Sequence, residues 1–116
     1  MDYETPDLLV REIHGVCIVR LRNPALSAPA EVQRIQAEIV QLLKTGTRRL
    51  VIDFKYVDYL SSAALGLLLT VRQEMERVQG KLVLSHTEKI AELLRVSQTE
   101  KLFVVAPDPK EAYKLF

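Results

Sequence analysis

The stretch Leu50-Val51-Ile52-Asp53-Phe54-Lys55-Tyr56-Val57-Asp58-Tyr59-Leu60-Ser61-Ser62-Ala63-Ala64-Leu65-Gly66 decides the fold of this chain. Its first five residues are short and almost continuously apolar, the pattern of a central strand covered on both faces. Lys55 to Leu60 follow as a loop. The serines Ser61 and Ser62 then stand before an alanine- and leucine-rich run that continues to Val78 and stops at Gly80. Hydroxyl residues ahead of such a run mark a helix start, because their side chains accept bonds from the unpaired first amides. Strand, short loop and helix make up the unit of an alternating α/β sheet. In such sheets ligands and partners meet the carboxyl ends of the strands, which is where the loop from Lys55 to Ser62 lies.

Upstream, Leu8 to Ile13 and Val16 to Leu21 flank His14-Gly15. A two-residue turn ending in Gly between β-rich runs predicts a hairpin. Cys17, Val19 and Leu21 share one face of its second strand, which makes Cys17 a buried hydrophobe. After a loop from Asn23 to Pro29, residues Val32, Ile35, Ile39, Leu42 and Leu43 recur at helical spacing. Pro29 suits the first turn of that helix and Gly46 its C-terminal cap. Downstream, Leu82 to Leu84 reads as a strand, Thr87 as the cap of a helix over Ile90 to Leu94, and Leu102 to Ala106 as a last strand. Asp108-Pro109-Lys110-Glu111 is a strong start for a final helix. The predicted fold is α/β. It has a mixed sheet of about five strands, an N-terminal hairpin followed by alternating strands and helices, and about four helices in one domain over residues 1–116.

Composition narrows the function. The chain has 116 residues with 16 Lys and Arg against 15 Asp and Glu, a net charge of +1. A 48% apolar, charge-balanced sequence is a folding one. It lacks the basic excess that nucleic-acid binding draws on, so no nucleic-acid partner is expected. The longest apolar run, Ala63 to Leu69, is too short to span a membrane, and the acidic start is not a secretory signal. With Cys17 alone, neither an internal disulfide nor a thiolate zinc site forms, and the reducing cytoplasm is the expected compartment.

No catalytic or cofactor constellation emerges. Neither G-x-x-x-x-G-K-[ST] nor G-x-G-x-x-G occurs, and His14 and His86 show no metal-ligand spacing. Ser62, His86 and Asp58 fall at one rim of the sheet, yet Leu60-Ser61-Ser62-Ala63-Ala64 lacks the glycines of a nucleophile elbow. We therefore expect a non-enzymatic protein without metal or cofactor. The serine pair remains informative. A serine in the first turn of a helix can carry a phosphate beside free N–H groups and a positive dipole end. The phosphate adds roughly two negative charges. The fold tolerates them, but a protein surface docked there meets new charge and bulk.

The segment Leu50 to Gly66, the hairpin start, the element order and Gly80-Lys81-Leu82-Val83-Leu84 together resemble the STAS domain family, in particular the small bacterial anti-sigma factor antagonists. Members show a hydrophobic strand, a short loop, then D-S-[ST]-[GA]-L-[GR] and a leucine-rich helix. Ser61 stands where the family often has Asp, and Ser62 at the phosphorylated serine. Ala63, Ala64, Leu65 and Gly66 fill the remaining places. Leu26 stands where many antagonists carry an acidic residue.

The resemblance implies a protein that binds an anti-sigma factor, itself an ATP-dependent serine kinase, and so releases a sigma factor. Phosphorylation would break that contact and a serine phosphatase would restore it. It implies Ser62 as acceptor, with Ser61 the runner-up one residue away. Asp58, Tyr59, Ser61, Ser62, Ala63, Leu65 and Gly66 would form the partner surface of a monomer or weak dimer. The alternative is a non-switching STAS scaffold in a larger signalling assembly, motivated by the missing acidic residues. Gly66, inside a helix, suggests close packing or close partner approach.

Overall fold

The hairpin forms as its sequence predicts. Strands β2 (Leu8–Ile13) and β3 (Val16–Leu21) pair antiparallel, with Leu8 opposite Leu21 and Ile13 opposite Val16. His14 (φ 49°) and Gly15 (φ 82°) both adopt the left-handed conformation that a two-residue turn between twisted strands requires. A computed structural model describes residues 2–116.

Beyond the hairpin, the chain alternates. Strand β5 (Arg49–Asp53) lies parallel to β3, β7 (Lys81–Ser85) parallel to β5, and β8 (Val104–Ala106) parallel to β7. Helix α1 (Pro29–Lys44) links β3 to β5, α2 (Ser62–Arg77) links β5 to β7, and α3 (Ala91–Val96) lies between β7 and β8. Helix α4 (Pro109–Tyr113) ends the chain. The main sheet has six strands, the five read from the sequence and β1 (Tyr3–Glu4), which adds itself to β2. A two-residue strand carries no periodicity. A turn made by Thr5 N–H on Leu8 O (2.8 Å) brings it back along β2. A second, two-stranded sheet pairs β4 (Ala25–Leu26) with β6 (Tyr59–Leu60).

Alternation along the strands divides the apolar residues between two cores. Leu8, Val10, Cys17, Val19, Leu50, Ile52 and Leu84 face α1 and α2 in the larger one. Val16, Ile18, Val51, Val83 and Ala106 form the smaller one, covered by Ala112 of α4 and by Tyr113 and Phe116. Strand β5 serves both, which explains its unbroken apolar run. Cys17 is 4% exposed, and burial pushes its thiol up to about 11, so it packs as the hydrophobe expected.

Two local expectations change. Thr87 caps no helix with its side chain. Its carbonyl closes a turn on Ile90 N–H (3.0 Å), and α3 begins only at Ala91, with Ile90 at the cap position. The last strand begins at Val104, not Leu102. A 3₁₀ turn over Glu100–Leu102 comes first, and Phe103 then enters the large core. Helix α2 stops ahead of Gly80, as read. Gln79 takes the left-handed conformation (φ 60°), and Gly80 follows because a Cβ there would lie 2.9 Å from Arg48 O and 2.6 Å from Met75 Cε. The final helix start is as read, with Asp108 Oδ1 accepting from Glu111 N–H at 2.8 Å.

Candidate functional site

At the carboxyl end of β5 the chain turns through Phe54 to Leu60 and enters α2. Phe54 and Val57 plug this loop into the core, 1% and 0% exposed, and Val57 N–H bonds Phe54 O at 2.9 Å. Apolar anchors three residues apart thus push the polar and aromatic residues outward. Lys55, Tyr56, Asp58 and Tyr59 are exposed, Tyr59 to 56%.

The loop is laced to its neighbour, the segment between β3 and α1. Asp58 N–H and Tyr59 N–H both donate to Pro24 O, at 2.7 and 3.2 Å, and Ser61 N–H donates to Leu26 O at 2.9 Å. Leu26 is buried (2% exposed) and serves as the fixed floor of this lacing.

The two serines take different roles. Ser61 is the N-cap of α2, in extended conformation, and its Oγ accepts from Ala64 N–H at 3.2 Å. Its own carbonyl accepts from Leu65 N–H at 2.9 Å. Ser62 is the first helical residue and is exposed, as is Ala63. The amides of Ser62 and Ala63 belong to the first turn, where a helix has no internal acceptors to offer. Ala64 is buried, Leu65 is turned into the core at 8% exposure, and Gly66 is half-buried. The rim thus brings together Asp58, Tyr59, Ser62 and Ala63 as surface. Ser61 lies half-buried at its base, and Leu65 supports it from within. A Cβ added to Gly66 would meet nothing within 4 Å, so close packing is not what keeps a glycine there.

Asp58 Oδ1 accepts from Lys89 Nζ at 2.6 Å, with both side chains exposed. His86 makes no hydrogen bond to that carboxylate. Its Nδ1 lies 2.6 Å from Oδ1 of Asp53, the last residue of β5. Asp53 is fully buried and also accepts from Ser85 Oγ (3.0 Å) and from Arg20 Nε (2.6 Å). Ser62, His86 and Asp58 are therefore not joined as a relay. The Asp53 cluster escaped the reading of the sequence, because one carboxylate in an apolar strand reads as a strand end. The available signal was register: Arg20, Asp53 and Ser85 occupy matching positions on adjacent strands. Among the described residues, no group of His, Cys, Asp and Glu is placed to hold a metal ion. No helix among them is long and apolar enough to cross a membrane.

Comparison with known proteins gives a consistent result. The STAS domain family model matches residues 7–112. BtrV of Bordetella bronchiseptica, named as an anti-sigma factor antagonist, is 34% identical over 110 residues, covering 94% of this chain and 93% of its own length. An anti-sigma factor antagonist (STAS) domain protein of Planctomyces limnophilus superposes with a TM-score of 0.82 at 20% identity, over 97% of this chain and 98% of that one. The Bacillus cell fate determinant SpoIIAA in its phosphorylated form superposes with a TM-score of 0.71 at 18% identity, over 94% and 99% of the two chains.

Proposed function

From the premise that the chain belongs to the STAS domain family, we propose that its rim is a docking surface that one phosphate can switch off. In this reading the protein is an anti-sigma factor antagonist. It binds an anti-sigma factor that is also a serine kinase, frees a sigma factor, and is released when Ser62 is phosphorylated. A serine phosphatase resets it. The similarity to BtrV across nearly the whole chain supports the antagonist role. That SpoIIAA is known in a phosphorylated form supports the switch.

One observation favours Ser62 over Ser61. The Ser61 hydroxyl is engaged in capping α2, whereas Ser62 presents its hydroxyl to solvent in the first turn. Serine and aspartate are both good N-caps, so Ser61 in place of the family's Asp keeps the cap. A phosphate on Ser62 sits beside the free amides and the positive end of a 16-residue helix, which holds its charge without unfolding the turn. The partner loses a neutral, partly aromatic surface around Tyr59 and gains roughly two negative charges.

The test is phosphorylation by the cognate anti-sigma factor kinase and ATP, mapped by mass spectrometry. Ser62→Ala abolishes incorporation and keeps kinase binding, while Ser62→Glu weakens binding. Phosphate that persists in Ser62→Ala overturns the assignment. The scaffold alternative has one observation in its favour. Strand β8 is an open sheet edge with Val104 and Val105 each 46% exposed, a template for pairing with another chain. A monomer by size-exclusion chromatography at high concentration refutes that alternative.

A further inference from the structure

The two faces of the main sheet are unequally covered. The two long helices α1 and α2 lie over one face, but only the five-residue α4 lies over the other, on β5, β7 and β8. On the hairpin side of that second face the β2 positions stay partly open, with Leu9 and Ile13 half-buried and Arg11 exposed. Between the hairpin strands β2 and β3 and α4 is a cavity of about 320 Å³. That is the lower end of the range for small-molecule sites.

Its lining has two chemistries. Leu9 of β2, Ile18 of β3 and Tyr113 of α4 give it an apolar interior, with Ile18 8% exposed. Arg11, Arg20 and Lys110 surround that interior, and no carboxylate is among the lining residues. These cations have capacity to spare. Arg20 uses its Nε on Asp53, leaving its two terminal nitrogens as donors. Arg11 is 3.9 Å from Asp2, a loose pair of two exposed side chains. Lys110 has no ion-pair partner among the described residues. An apolar slot ringed by cations attracts a molecule with an apolar body and one negative head. A neutral apolar molecule leaves the charges unused, and a fully hydrophilic anion leaves the apolar wall wet.

We propose that this cavity binds a free medium-chain carboxylic acid, with the chain along Leu9, Ile18 and Tyr113 and the carboxylate held by Arg11, Arg20 and Lys110. This goes beyond the antagonist reading and does not depend on it, since the cavity opens on the sheet face opposite α2.

The experiment is a titration of the ¹⁵N-labelled full chain with decanoate below its micelle concentration, followed by amide chemical shifts. Decanol and vesicles of anionic phospholipid are run in parallel. Saturable shifts centred on residues 9–20 and 109–113 are expected, with decanol about tenfold weaker or worse because it lacks the charge-assisted bonds. Lys110→Glu, at an exposed position, weakens decanoate by about tenfold without changing the thermal midpoint. Leu9→Trp, which fills the interior and keeps every charge, abolishes the shifts. Equal binding of decanol, shifts confined to the Ser62 rim, or binding to vesicles with none to monomeric decanoate each overturns the proposal.

Discussion

Asp53 shows how much one buried residue can fix. It is fully buried, and its two oxygens serve Arg20, Ser85 and His86, which come from three other positions on the sheet and its rim. Replacing it by Asn leaves Arg20 and His86 facing a neutral group. Because each of them keeps about a quarter of its side chain exposed (28% and 27%), the expected loss is at the lower end for a broken buried pair. Asp53→Asn should cost roughly 3 kcal/mol, read as a lower urea midpoint with an unchanged slope. Asp7 is the second buried carboxylate. The hydrogen bond from Arg34, in a two-pronged contact at 3.1 Å, is the main cause holding its carboxyl below the usual range, and Asn23 adds a third bond. A carboxyl depressed in the folded state binds its proton more readily in the unfolded chain. Its contribution is therefore complete above the ordinary carboxylate pKa of about 3.9 and is lost as pH falls through the lower folded value. Thermal midpoints measured from pH 5 down to 2 should fall less steeply in Asp7→Asn than in the parent. Neither role was legible beforehand, because a single acid next to apolar residues carries no periodicity and its partners lie far along the chain.

At the scale of elements, α2 separates what pattern can reveal from what it cannot. Its start was legible because a hydroxyl before an apolar run has one local use, and Ser61 fulfils it. Its end was legible only in position. Gly80 marked the stop, but Gln79 is the residue that adopts the left-handed conformation, and the glycine lets the chain pass beneath Arg48 O. Close approach between distant segments is a tertiary fact that no window of sequence contains. Gly66 differs again, since an added Cβ meets open space. Gly66→Ala should therefore stabilise the protein by about 0.5–1 kcal/mol, the helix-interior cost of glycine. A raised thermal midpoint checks this. If the same variant also loses affinity for the anti-sigma factor, the glycine is kept for the partner's approach.

Across the whole molecule, alternation of strands and helices was enough to give the parallel half of the sheet. The two-residue strands β1, β4 and β6 escaped because their pairing depends on segments elsewhere in the chain. The candidate rim was legible as a place, the loop after β5. Which of its side chains face outward followed only from the anchoring of Phe54, Val57 and Leu65. Tyr59 is the more exposed of the two tyrosines on that rim, and aromatic residues dominate binding energy at interfaces. Tyr59→Ala should weaken the complex with the anti-sigma factor by about tenfold or more while leaving the thermal midpoint unchanged, measured by calorimetry on both forms. The pairing of β4 with β6 has a consequence for that measurement. Because Pro24 O and Leu26 O hold the rim loop from the neighbouring loop, both segments lose their conformational freedom when the chain folds. Association then has little backbone left to order, so its entropy should be dominated by displaced water and its heat-capacity change should match the apolar area covered.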